Sequence, residues 1–437
     1  MNAAAGTRSV ETLVLGAGLA GLATGHVLAR RGRPFLIVER ERELGGLCRS
    51  IVRDGFAFDL TGHVLHMRTD RVRDLVRELL PDTFARVARR ARIASHGVLV
   101  PYPFQVNLAP LPVEVQKECL LGFFAARARR EGPIDATAVS FEEWIRGTFG
   151  EGIARHFMIP YNAKMWGVPL SEMSAEWTSW SVPVPTLEEV VDGALGHSDK
   201  AFGYNPEFLY PKTGGIEVLP RALARGLSVE HDELCAVDLE AKLATFSSGA
   251  QIAYARLVST LPLPELLRRA SGLDPAVAAG GARLRHVSVI VFNLGVDRAG
   301  CSDAHWIYYA DPEIPFYRVG FPSSFSAGVA PPGTSSMYVE ISAAAVPADL
   351  GPLRGAVMGA LERVGLLRPR DRIVCEEVVV IPHGYVIYDV ARREALPAIW
   401  RELARHDVYS TGRYGAWEYG SMETAIAQGL AAGESIP

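Results

Sequence analysis

"LVLGAGLAGLATGHVLARRGRPFLIVE", residues 13–39, decides the fold. An apolar strand, Leu13-Val14-Leu15, runs into a Gly-x-Gly-x-x-Gly turn at Gly16, Gly18 and Gly21, which opens a helical stretch. The first glycine permits a tight turn, the second lets the backbone approach a pyrophosphate, and the third lets helix and strand pack closely. The positive end of the helix then faces the phosphates. Phe35-Leu36-Ile37-Val38 reads as a second strand. Glu39 closes it, 18 residues after Gly21, where a carboxylate accepts hydrogen bonds from a ribose. Strand, glycines, helix, second strand and terminal acid stand in the order a dinucleotide site requires. The alternative, a glycine-rich turn before an ordinary helix, needs none of that order.

The rest of the chain bounds the partners. Its 437 residues predict two or three domains. With 49% hydrophobic and 22% charged residues, it has the composition of a soluble globular enzyme. A net charge of -4, with no Lys/Arg run interleaved with aromatics, argues against a nucleic-acid partner. Cys48, Cys119, Cys235, Cys301 and Cys375 are scattered without a CxxC pair. That suits reduced thiols in a cytoplasmic protein and offers no metal ligand set. The opening MNAAAGTRSVE lacks the pattern of a signal peptide, and no apolar run reaches the roughly 18 residues of a membrane span, so no membrane partner is expected. Homo-oligomerisation is left open.

Two segments refine the cofactor. RERELGGLCRS (40–50) carries a second flexible turn, Gly45-Gly46, followed by Leu47, six residues past the ribose acid. This resembles the FAD-binding fold of the amine-oxidase and mutase superfamily. No second Gly-x-Gly-x-x-Gly occurs, so a separate nicotinamide domain is not encoded. In GFAFDLTGHVLH (55–66), Phe56–Asp59 alternates like a strand and Thr61-Gly62-His63 is a turn. The histidine there either faces solvent or sits against a flavin.

Later stretches carry a wider resemblance: VPYPFQVNL (100–108), FEEWIRGTFGEGIARHFMIPYNAKMWGVPLSEM (141–173), PFYR ending at Arg318, HGY ending at Tyr385, and GRYGAWEYGSMETAIAQG (412–429). In the same order over nearly the whole chain, these are similar to the UDP-galactopyranose mutase family, closer to its eukaryotic-type branch. The resemblance implies an α/β fold: a Rossmann-type FAD-binding domain with a helical insertion and a mixed/antiparallel sheet substrate domain. The expected division is 9–104 with 205–264 and 400–437 for FAD, 105–204 for the helical substrate-binding domain, and 265–399 for the sheet. Helix-compatible patterns such as PVEVQKECLLGFFAARARR (112–130), and alternating runs such as HVSVIVFNLGV (286–296), HWIYYA (305–310) and SMYVEISA (336–343), fit that layout.

The chemistry so implied is isomerisation of a nucleotide-diphosphate sugar between pyranose and furanose. Reduced FAD attacks the anomeric carbon through N5 and the nucleoside diphosphate departs and returns. By the same resemblance His63, Arg318, Arg413, Tyr385 and Tyr419 are the catalytic set. Gly16, Gly18, Gly21, Glu39, Gly45, Gly46, Leu47, Gly62, His63, Gly412, Arg413 and Met422 bind the cofactor. Tyr102 and Gln105 hold the base, Asn162 and Trp166 line its cleft, and Asn205, Tyr308 and Tyr317 face substrate together with Arg318, Tyr385 and Tyr419. Trp166 also reads as plain helix-packing core, and Arg318 as a surface arginine after a strand.

Two departures stand out. Thr61 occupies a position where the related pattern has glycine. Ser181 stands near the place of an arginine that joins the diphosphate contacts; losing such a cation weakens the contact by ~1–3 kcal/mol, so either another basic residue, Lys212 being the candidate, compensates or the substrate differs. The same FAD fold also hosts amine oxidases and desaturases, which predict a greasy tunnel. A non-catalytic nucleotide-sugar-binding flavoprotein is the third reading.

Overall fold

The computed structural model describes residues 8–129, 132–180, 182–197 and 206–437; Ser181 and Asn205 lie outside the described residues. The strand Arg8–Leu15 buries its last four residues and pairs in parallel with Phe35–Glu39 on one side and Gln251–Ser259 on the other. Leu19–Arg30 is the crossover helix between the first two. Val229–His231 and Val408–Ser410 add further parallel strands, and Leu234–Asp238, Leu243–Phe246 and Ala270–Ser271 extend the other edge, giving eight strands in all. This is a Rossmann-type layer, buried on both faces as parallel sheets require.

The second sheet has seven strands. Their order is Ile373–Val386, His286–Val296, Ser335–Ala343, Arg318–Gly320, Trp306–Tyr309, Ala91–Ser95 and Val98–Pro101. Pairing is antiparallel except between Trp306–Tyr309 and Ala91–Ser95. Two segments depart from the expected division. The hairpin at 91–101, assigned by sequence to the FAD domain, joins this second sheet, because its backbone edge is completed by Trp306–Tyr309. Residues 270–271, assigned to the sheet domain, instead extend the first sheet beside Leu234–Asp238.

The helical insertion shares one hydrophobic core with residues of both sheets. Val113–Ala128 packs on Phe141–Ile153. Ser140 and Glu143 form a capping box at the start of the latter helix, and Thr186 and Glu189 do the same for Leu187–Leu195. A π-turn at Ala154–Met158 leads into Ile159–Trp166, which ends at Gly167 in the left-handed region. Among the described residues, no helix is long and apolar enough to cross a membrane.

Candidate functional site

The glycine turn is built almost entirely of backbone. A Cβ on Gly21 would overlap the carbonyl oxygen of Gly16, so only glycine lets the helix start this close to the strand. No side chain caps the helix at Gly18, which leaves its first N–H groups for an anion. The second turn closes on the first: the Gly45 amide donates to the Ala17 carbonyl at 2.8 Å, and Gly18 and Gly45 form a β-bridge. Glu39 reaches the mouth of the turn, where its carboxylate accepts from the Ala17 amide at 2.7 Å and the Glu41 amide at 3.0 Å. The helix Met422–Ser435 lies along the crossover helix, and the Gly429 carbonyl accepts from the Thr24 hydroxyl at 3.0 Å. This cradle fits a dinucleotide. Leu47 packs beyond it against the buried cluster of Val289, Val291, Tyr338 and Ile381 on the second sheet.

Register assembles the second half of the site. Tyr308, Arg318 and Glu340 are direct cross-strand partners in one row. Gly320 pairs with Tyr338 in the neighbouring row, and a Cβ on Gly320 would collide with the Tyr338 ring. That missing side chain makes room for the ring, which lies 5.8 Å from the Arg318 guanidinium. Glu340 is fully buried and grips Arg318 along one edge, Nε to Oε2 at 2.6 Å and Nη2 to Oε1 at 2.8 Å. Burial alone would push the Glu340 carboxyl up, but Arg318, Thr61 and Gly62 outweigh it and hold the group below its ordinary value, so the pair is ionic. The fork of Arg318 is therefore half committed, and among the described residues its Nη1 has no hydrogen-bond partner.

His63 belongs to this cluster and not to a solvent-facing turn. Its Nδ1 is buried without a hydrogen-bond partner among the described residues. Burial depresses the imidazole to about 4, with Arg413 and Arg318 adding to the effect and Glu340 opposing it, so the ring is neutral at pH 7.

Arg413 enters from the short helix Gly412–Gly415, whose first residue holds a positive φ of 79°. It donates to the carbonyls of Gly420 at 2.7 Å and Gly384 at 2.9 Å. Its guanidinium sits 5.0 Å from the Tyr419 ring centroid and 5.7 Å from that of Tyr385. Unlike Arg318, it has no carboxylate within bonding distance among the described residues. Tyr385 and the buried Tyr317 exchange a hydroxyl contact at 3.3 Å, and burial raises both phenols, which stay protonated. Met422 begins the C-terminal helix behind Arg413, and that helix start is capped by Ser421 and Thr424.

Trp166 is buried core, as the helix-packing reading expects. Fully buried, it forms the floor of the cluster, with its ring 5.6 Å from Tyr385 and 6.1 Å from Tyr419. Gln105 and Asn162 are buried with their amide donors committed to backbone, to the Pro183 carbonyl at 2.8 Å and the Met158 carbonyl at 2.7 Å. Tyr102 and Tyr308 pack together at 5.6 Å, and Tyr161 stands against Tyr308 at 5.3 Å. Lys212 is exposed past the end of its strand. The cation found at this end is Arg89, 4.7 Å over the Tyr102 ring. Sequence reading missed Arg89, Tyr338 and Glu340. A periodicity signal exists only for the last two, which share one strand face at spacing two.

Residues 14–79 match the NAD(P)-binding Rossmann-like domain family. Over 97% of this chain and 93% of the other, the structure superposes on that of a reduced UDP-galactopyranose mutase with a TM-score of 0.91 and 30% identity. A UDP-galactopyranose mutase of Mycoplasma pneumoniae is 24% identical over 37% of this chain and 42% of its own length. A protoporphyrinogen oxidase-like structure from Exiguobacterium shares the fold at TM-score 0.77 and 16% identity, covering 99% of both chains. The chain spans half or less of the first curated relatives it matches.

Proposed function

Because this chain belongs to the UDP-galactopyranose mutase family, we propose that it interconverts the pyranose and furanose forms of a nucleotide-diphosphate sugar with reduced FAD in its glycine cradle. When bound, FAD supplies a nucleophilic nitrogen to the anomeric carbon. The chain's own groups do the rest. Arg413 and the outer edge of Arg318 take the charge of the departing diphosphate. The protonated phenol of Tyr385, with Tyr419 beside it, donates to the same oxygens and keeps the diphosphate close for its return. The neutral imidazole of His63 can accept a proton without adding charge. Trp166 holds the Tyr385–Tyr419 wall in place, and Tyr102 and Arg89 offer a stacking surface to the base.

One observation carries this reading: Arg413 is a guanidinium held by carbonyls and aromatic faces, with no carboxylate among the described residues to neutralise it. Such a cation calls for an anionic partner, which a greasy oxidase tunnel would not bring. Incubation of dithionite-reduced protein with UDP-, GDP- and TDP-sugars tests the proposal. Furanose product from one of them, with a borohydride-trapped flavin–sugar adduct, is the expected result. Substrate-dependent reduction of oxidised flavin without sugar isomerisation would replace it with an oxidase.

A further inference from the structure

The Glu340 carboxylate is shared unequally. Among the described residues, Oε2 accepts from Arg318 Nε alone. Oε1 accepts from three donors: Arg318 Nη2 at 2.8 Å, the Gly62 amide at 3.2 Å, and the Thr61 hydroxyl through a short bond. A carboxylate oxygen has about two lone-pair sites. Three donors on one oxygen therefore compete, and a weaker hold by one tightens the other two. Two of the three belong to the turn that carries His63, and the third to the guanidinium facing the sheet's ligand side.

The turn has little freedom to absorb such a change locally. A Cβ on Gly62 would collide with the Tyr338 hydroxyl, so the turn is seated directly on the ring that also lies beside Arg318. Buried networks of this kind have discrete arrangements and do not yield by degrees. A glycine at position 61 has no hydroxyl to make the third bond; this chain has threonine there.

We propose that Thr61 and Glu340 are positioning residues that tie the His63 turn to the Arg318 guanidinium, so that a ligand drawing on Arg318 resets the seat of His63 beside the cofactor. The assignment of a diphosphate to Arg318 rests on the reading above; the tie itself rests on the hydrogen bonds of Glu340. It makes occupancy of the anion side and the state of the cofactor side two readings of one network, and the coupling is reciprocal.

A double-mutant cycle tests it without relying on turnover. Thr61→Val removes the hydroxyl at constant shape. Arg318→Lys keeps the charge but loses the paired grip on Glu340. The readout is the flavin midpoint potential of the FAD-loaded wild type, the two single variants and the double variant, expressed as the redox equilibrium constant. The expected result is a departure from additivity of about twofold or more, the lower end for residues in one hydrogen-bonded network. Thr61→Ser in place of Thr61→Val restores the wild-type coupling. Additive effects, or a valine variant that behaves like the serine variant, overturn the tie. UDP titrated into the wild-type holoenzyme separates the two claims. Failure to bind UDP removes the nucleotide reading and the ligand assigned to Arg318, whereas additivity in a protein that binds UDP overturns the coupling alone.

Discussion

The glycine cradle and the sheet-borne polar face are built by opposite means. The cradle is a matter of backbone: two turns within thirty residues of each other, bonded through Gly45 and Ala17, with glycine demanded by overlap and one carboxylate at the mouth. The polar face is a matter of side chains brought from six separate stretches, at 63, 308, 318, 340, 385 and 413–419. A backbone site tolerates most substitutions and fails when a Cβ intrudes. A side-chain site keeps its shape under most changes, but its chemistry turns on single groups.

The strongest test of that contrast is Gly21→Val. Its side chain would occupy the space of the Gly16 carbonyl, and overpacking of this kind costs about 3 kcal/mol. Purified protein is expected to carry no FAD by absorbance, while Thr24→Ser nearby retains it; a fully loaded valine variant would refute the backbone account.

Arg318→Met comes next. It leaves Glu340 charged and buried without its main partner, so urea unfolding is expected to show a loss of about 3–5 kcal/mol. Adding Glu340→Gln to the same chain is expected to recover much of that loss, since the orphaned charge is what is costly.

Arg413→Met sharpens the comparison from the other side. With no carboxylate to strand, it is expected to lower kcat by roughly 10²–10³-fold, the cost of one preorganised charge-stabilising group. Its unfolding midpoint should stay closer to wild type than that of Arg318→Met. Equal losses of stability in the two variants would erase the distinction between the paired and unpaired arginines.

The smallest effect is that of acid. His63, His66, His305 and His383 are each held down to about 4, chiefly by burial. Each favours the folded state fully above its ordinary value of 6.5, and that contribution is lost as pH falls toward 4. Asp59, pushed up to about 6 by burial, works the opposite way between 6 and 3.8, but it is one group against four. Calorimetry from pH 7 to 4.5 is expected to show a falling Tm. Hydrogen exchange should rise around 63–66 before it rises around 13–21, because His63 faces Glu340 and His383 lies in the second sheet, His305 directly precedes one of its strands, His66 contacts the Glu207 carbonyl, and none of the four lies in the cradle. A flat Tm would remove this difference.

The same contrast explains what could be read in advance. The cradle is legible because its signal is local: strand, glycines, strand and acid follow one another, and each has a steric or electrostatic reason to be there. The resemblance placed Arg318, Arg413, Tyr385, Tyr419 and His63, and the structure brings those five together. Glu340 went unread because period-two alternation puts it on one strand face with Tyr338 but does not say what that face meets; only the register with Arg318 does. The hairpin at 91–101 was misplaced for a related reason, since a strand pattern does not say which sheet edge will complete it. Gln105 and Asn162 carried the right residue types for a polar cleft, but an amide is equally suited to bonding a nearby carbonyl, and their donors do so.

The cradle's own strand Arg8–Leu15 is flanked by Gln251–Ser259, and its crossover helix is covered by Met422–Ser435. A nascent chain emerging from the ribosome therefore exposes the phosphate turn early and completes it late, after more than four hundred residues have been made. At translation rates of about 5–20 residues per second this interval lasts on the order of tens of seconds, longer than most single domains need to fold. If the cradle holds the proposed FAD, a fragment arrested before Met422–Ser435 is expected to stay colourless, because the helix that covers the crossover helix is still missing.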